Sequence, residues 1–235
     1  KLDSQKEILS DSLDKLGEDA AATNAELKLV LFEELIRVAR TQGDAKELLR
    51  FRLQQVLWGP ASLEDLYEVY SLSMDLGNTE TQKILLDRAG KRLIDLPEFI
   101  EASTGDGRLG VLEFARRIYE NAGQIESAIR MTMSLWGVET PSNYRQAVET
   151  CLSKLEKANI SPRSSLVLEL RNRMVSIAYE SNDPTLELEN SLALLEAGKN
   201  EPDFALKLYS LSLLLEDKTA QGRVISANAP DAPRF

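Results

Sequence analysis

Residues 27–60 read LKLVLFEELIRVARTQGDAKELLRFRLQQVLWGP, two apolar-periodic runs around one glycine turn. Leu27, Val30, Leu31, Glu34, Leu35 and Val38 recur at the i, i+3, i+4, i+7 steps that lay an apolar stripe along one side of a helix. Gly43-Asp44 then interrupts the pattern with a residue tolerant of positive φ, so that one helix can end and the next begin at once. Trp58-Gly59-Pro60 closes the second helix, because proline lacks an N–H and restricts the residue before it. The expected unit is a helical hairpin.

The same punctuation runs outward along the chain. Gly77-Asn78, Gly123-Gln124 and Asn182-Asp183-Pro184 separate apolar-periodic stretches as Gly43-Asp44 does. Leu96-Pro97, Thr140-Pro141, Ser161-Pro162 and Glu201-Pro202 repeat the proline break. Glycine or asparagine turns mostly alternate with proline turns, which is the rhythm of stacked helix pairs. The spacing predicts helices at 2–16, 25–42, 44–57, 62–76, 78–93, 109–122, 124–136, 142–158, 164–181, 185–197 and 202–216. Alternating β-branched runs are absent, so the expected class is all-α. Residues 96–108 read as an exposed loop with a short helical turn at its start. The expected organisation is an N-terminal capping helix and linker over 1–24, a helical repeat domain over 25–217 and an irregular tail over 218–235.

Composition narrows the function. The 235 residues include one Cys and no His, which excludes an internal disulfide, a Ser-His-Asp or Cys-His catalytic pair, an HExxH zinc site and a His-ligated haem. Asp and Glu number 38 against 28 Lys and Arg, a formal charge of -10. The densest basic stretches, at Arg50 and Arg52, Arg116 and Arg117, and Arg171 and Arg173, are spread along separate helices with acids between them, so nucleic acid is not an expected partner. The apolar run Leu208–Leu215 falls far short of the roughly 20 residues that span a bilayer.

Sharper chemical signals each have a plainer reading. Glu33 and Glu34, or Glu64 and Asp65, could act as acid and base, but adjacent residues on a helix point in different directions and read as solvated surface. Trp58 and Trp136 read as anchors covering helix ends. Cys151, in VETCLSKL, reads as a buried structural thiol. Gly105-Asp106-Gly107 lacks a preceding strand and a Walker-type lysine, and reads as a turn. No catalytic, cofactor-binding or metal-binding residue is nominated.

Gly43 and Gly77 lie 34 residues apart, the tetratricopeptide period. That pattern puts Phe32, Leu35 and Ala39 on the packing face of the first helix, with Gly43 at the turn and Pro60 at the end. Leu66, Val69 and Ser73 precede Gly77; Leu112, Ala115 and Tyr119 precede Gly123; Met174 and Ala178 precede Asn182. Ala128 falls where the family keeps a small residue in the second helix. The chain thus resembles a degenerate tetratricopeptide array over about residues 25–217. Ile36, Tyr70, Arg116 and Val175 depart from the family's small residue in the first helix, and the third and fourth turns stand 59 residues apart.

The resemblance implies a right-handed α-solenoid of stacked antiparallel helix pairs, a non-enzymatic scaffold whose concave face binds another protein or peptide. Carried over position by position, it nominates Glu33, Glu34 and Arg37; Tyr67, Glu68, Ser71 and Met74; Glu113, Arg117 and Asn121; and Asn172, Arg173 and Tyr179 as partner-binding residues. The chain is also similar to periplasmic helical domains of bacterial envelope and exopolysaccharide-export proteins. That implies a periplasmic rather than a cytoplasmic location. The start at Lys1 and the irregular tail read as cuts in a longer polypeptide, so a fragment of a longer chain or multi-protein assembly is expected. The alternative expectation is a helical carbohydrate-binding or carbohydrate-processing domain using groove carboxylates.

Overall fold

A computed structural model describes residues 2–16, 22–199 and 201–228. Among them all regular structure is helical. Contacts divide the chain into two compact units, Lys1–Gln124 and Ile125–Phe235. The first contains α1 (Leu2–Lys15), α2 (Ala22–Gln42), α3 (Ala45–Trp58), α4 (Leu63–Asp75), α5 (Thr79–Ala89), α6 (Leu96–Ala102) and α7 (Arg108–Asn121). The second contains α8 (Ile125–Val138), α9 (Tyr144–Lys157), α10 (Ser165–Glu180), α11 (Pro184–Glu196), α12 (Pro202–Leu214) and α13 (Lys218–Ala227). Within each unit, helices adjacent in the chain pack against one another, as in a helical repeat fold.

The predicted turns form by one mechanism. At Gly43, Gly77, Gly123 and Asn182 the backbone has φ between 54° and 71°. In each, the amide after the turn residue reaches the carbonyl of the residue four before it: Asp44 to Ala39 at 3.0 Å, Asn78 to Ser73 at 2.8 Å, Gln124 to Tyr119 at 2.8 Å and Asp183 to Ala178 at 2.9 Å. This closes the orphan carbonyls at the helix end. Asp44, Asn78 and Asp183 then cap the next helix, their side chains accepting from the amides of Glu47, Thr81 and Leu186. The expected packing residues are buried: Phe32, Leu35 and Ala39; Leu66, Val69 and Ser73; Leu112 and Ala115; Ala128; Met174 and Ala178. Tyr119 is half-buried.

Two helices were not expected as such. α6 occupies the start of the 96–108 segment and is pinned by Leu96, which is fully buried. α13 corrects the reading of 218 onward as irregular. Asp217 caps it, accepting from the Ala220 amide at 2.9 Å, and Ala220 and Val224 bury themselves in a cluster with Leu188, Leu192 and Leu208. The burial of every fourth residue outweighs the polar composition that suggested a tail. Residues 229–235 and most of the expected 17–24 linker lie outside the described residues, although α2 already begins at Ala22.

A shift of 139 residues, which takes Gly43 to Asn182 and Gly77 to Glu216, lays α2–α5 on α10–α13 without a gap. Leu31, Ala39, Asp44, Leu49 and Leu53 meet Leu170, Ala178, Asp183, Leu188 and Leu192. Tyr70-Ser71-Leu72-Ser73 meets Tyr209-Ser210-Leu211-Ser212, and Gln82 meets Gln221. The hydrogen bonds repeat as well. Ser73 Oγ donates to the Tyr70 carbonyl at 2.6 Å and Ser212 Oγ to that of Tyr209 at 2.7 Å. Gln82 and Gln221 each donate to the carbonyl of that serine at 3.3 Å. Each unit therefore carries one copy of a four-helix module, with a 34-residue step between its two turns.

α11 is the central helix of its unit. Leu186, Glu187, Leu188, Asn190, Ser191, Leu192, Leu194 and Leu195 are all buried, as expected of a helix contacted by α10, α12 and α13 together. Two of its buried polar side chains are matched: Asn190 donates to the Leu186 carbonyl at 2.9 Å and accepts from Arg171 at 2.8 Å, while Glu187 takes an ion pair from Lys207 at 2.9 Å. Cys151 is buried with Val148, Leu155 and Leu166, as read from its helix. Trp58 packs beside the cluster of Phe32, Leu35 and Phe51, and Trp136 stands edge-on to Tyr144 at 5.2 Å between ring centroids.

Candidate functional site

The first unit contains a hollow of about 390 Å³ between α2 and α3. Glu33, Ile36, Arg37, Arg40 and Thr41 line it from α2, and Arg52 and Gln55 from α3. The α2 residues recur every three or four positions, so one edge of the helix presents them all. Two of the guanidiniums are tied. Arg37 pairs with Glu34 at 2.6 Å, and that bond holds the Glu34 carboxyl below the usual carboxylate range. Arg52 reaches Glu68 of α4 at 3.2 Å and donates to the side-chain amide oxygen of Gln55 at 3.2 Å. Glu33 and Arg40 are exposed and have no hydrogen-bond or ion-pair partner among the described residues.

Of the nominated residues, Glu33 and Arg37 thus line one hollow, Glu34 braces Arg37, and Glu68 braces Arg52. Ser71 and Met74 are exposed further along α4. Tyr67 has a structural task that the sequence reading missed. Its ring lies 6.1 Å from Phe99 and 5.5 Å from Phe114, centroid to centroid, and Tyr70 adds a contact with Phe114 at 4.8 Å. Burial raises the Tyr70 phenol above its ordinary pKa, and its oxygen has no hydrogen-bond partner among the described residues.

Glu113 and Arg117 form part of a charge network along α7. Glu113 accepts from Arg116 at 2.6 Å and from Arg117 at 2.9 Å, and Arg116 also reaches Glu120 at 2.7 Å. Burial pushes the Glu113 carboxyl up, but the two guanidiniums together outweigh it and hold the group below the ordinary value. The bond from Glu113 is also the main reason the Arg116 pKa is raised. Asn121 donates to Asp87 at 2.8 Å, a cross-link from the end of α7 to α5.

In the second unit, Asn172 accepts from Lys199 at 3.2 Å, and Arg173 donates to the Tyr144 hydroxyl at 2.6 Å and to Glu169 at 3.0 Å. Tyr179 is exposed beneath the Lys207 ammonium, 5.8 Å from its ring centroid. In the module register these three residues are the counterparts of Glu33, Glu34 and Arg40. The cores match in large part, although Phe32 and Phe51 meet Arg171 and Asn190, which bond to each other, and the faces differ: Glu68 meets Lys207, and Arg52 meets Ser191.

The paired carboxylates take structural roles where their bonds are resolved. Glu34 is bound to Arg37, and Asp65 completes a capping box with Ser62, accepting from its amide at 2.8 Å while the Ser62 hydroxyl caps α4. Among the described residues no group of three His, Cys, Asp or Glu is placed to hold a metal ion. No described helix is long and apolar enough to cross a membrane. Sequence reasoning missed Arg40, Arg52 and Gln55. Arg40 continues the Glu33–Arg37 row by one more turn, a signal that was present; Arg52 and Gln55 lie on a second helix, which the tetratricopeptide pattern assigns to the opposite side.

A scan against protein-family models finds no match, and no curated protein matches the chain.

Proposed function

We propose that the chain is a non-enzymatic scaffold, that the helix pairs of each unit stack in the tetratricopeptide manner as short right-handed solenoid stretches, and that the α2–α4 face of the first unit binds a segment of a partner protein. The observation that carries this reading is the hollow between α2 and α3. Four nominated residues line it or brace the arginines that do, and its donors and acceptors are held on rigid helices rather than on loops. Service in a bacterial envelope or exopolysaccharide-export assembly belongs to the same proposal and is supported by the resemblance of the sequence.

The test is partner capture from lysate of the source cells by the purified protein and by an Arg37→Glu/Arg52→Glu variant of equal helicity. The proposal predicts a bound protein that the variant loses. Retention of every bound protein by the variant would move the site off this face.

A further inference from the structure

The two unpartnered charges of the hollow have a defined spacing. Glu33 and Arg40 stand seven residues apart on α2, two helical turns or about 10.5 Å along its axis. Between them Arg37 is neutralised by Glu34, and Ile36 contributes an apolar wall. The hollow therefore presents an acid at one end and a base at the other, each with its hydrogen-bonding capacity unused inside the described fold.

Folding does not call for either charge. The second module adopts the same turns, caps and buried serine bonds with Asn172 in place of Glu33 and Tyr179 in place of Arg40. Most of the positions that the two copies share are buried or half-buried, whereas Glu33 and Arg40 belong to the surface, where the copies mostly differ. Charge of a single sign is not concentrated here either. Arg37, Arg40 and Arg52 are offset by Glu33, Glu34 and Glu68, so a polyanion gains little from long-range attraction.

Resting on the scaffold reading above, we infer that the hollow between α2 and α3 recognises a mixed-charge peptide segment, whose basic side chain pairs with Glu33 and whose acidic side chain pairs with Arg40. The matching groups stand about 10 Å apart, three residues apart in a polyproline II segment, where they share one face, or seven in a helical one. The acid takes a forked contact from the Arg40 guanidinium, and the base sits against the Glu33 carboxylate.

The experiment is selection of a phage-displayed random dodecapeptide library on the 235-residue protein and on its Glu33→Lys, Arg40→Glu and Gln55→Trp variants, each checked for an unchanged helical spectrum. The unmodified protein enriches peptides with a base and an acid at one of those spacings. Arg40→Glu loses the preference for the acid and keeps that for the base, Glu33→Lys does the reverse, and each weakens the parent peptides about two- to fivefold, as expected of one exposed charge pair. Charge preferences that are the same on all charge variants overturn the inference. If Gln55→Trp, which fills the hollow, still abolishes binding, the scaffold reading stands and only the charge assignment fails. If Gln55→Trp leaves binding intact, or if no peptide enriches, both fail.

Discussion

The phenol oxygen of Tyr67 on α4 occupies the space that a β-carbon on Gly110 of α7 would fill. Tyr67 is held there by Phe99 and Phe114, so it cannot swing aside without breaking aromatic contacts. Gly110 is helical, and an exposed Gly→Ala change in a helix ordinarily stabilises by about 1 kcal/mol. Here the sign reverses. Gly110→Ala is expected to destabilise the first unit by about 1–3 kcal/mol through overpacking. Adding Tyr67→Phe removes the clashing oxygen, and the double variant should lose less than the sum of the single losses, read from urea unfolding midpoints.

Gly77 and Glu216 occupy the same turn of the two modules, with φ of 64° and 54°. Glycine adopts that conformation freely; glutamate does so against steric cost. Glu216→Gly is therefore expected to stabilise and Gly77→Ala to destabilise, each by about 1 kcal/mol. Opposite shifts in thermal midpoint bear this out, and equal signs refute it.

Asp44 and Asp183 are matched caps, accepting from the amides of Glu47 at 3.1 Å and Leu186 at 3.0 Å. Replacing either by alanine leaves a helix-end amide unsatisfied and should cost about 1 kcal/mol. Hydrogen exchange localises the loss: amides at the start of α3 lose protection in the first variant, and those at the start of α11 in the second.

Glu113 has its carboxyl pKa lowered in the folded protein, because Arg116 and Arg117 outweigh burial. Its contribution to stability is present above the unfolded carboxyl value of about 4.3 and is lost as pH falls through the lower folded value. Its side chain is 34% exposed, so screening limits the effect to about 1 kcal/mol. The stability gap between the protein and Glu113→Gln, measured by denaturant titration, should be constant from pH 7 to 6 and close towards pH 3. A gap that widens with acid contradicts the account.

What the sequence made legible followed from strong local physics. Gly43, Gly77, Gly123 and Asn182 were readable as turns because glycine and asparagine tolerate positive φ, and all four adopt it. The turn at Glu216 was hidden, since nothing about glutamate announces that conformation, and with it went α13 and the second 34-residue step. The module repeat was muted for a related reason: burial constrains Leu35 and Met174, or Leu85 and Val224, only to be apolar, so shape is kept while identity drifts. At the candidate site, the resemblance found the α2 row but treated Tyr67 as surface. Its partner Phe99 lies on α6, within the stretch read as a loop, and the clearance at Gly110 depends on a contact between α4 and α7 that spacing along one helix does not encode.

A partner is proposed to dock at the hollow between α2 and α3. Benzoylphenylalanine placed at Ser71, exposed on α4 one turn beyond the Glu68 that pairs with Arg52, and separately at Ser176 and Ile225 of the second unit, would be irradiated in lysate of the source cells, with and without Arg37→Glu/Arg52→Glu in the same chain. The account predicts a discrete protein adduct from position 71 that the double variant abolishes. An adduct at position 71 that persists in the double variant, or no adduct from 71, with or without adducts from 176 or 225, would contradict it.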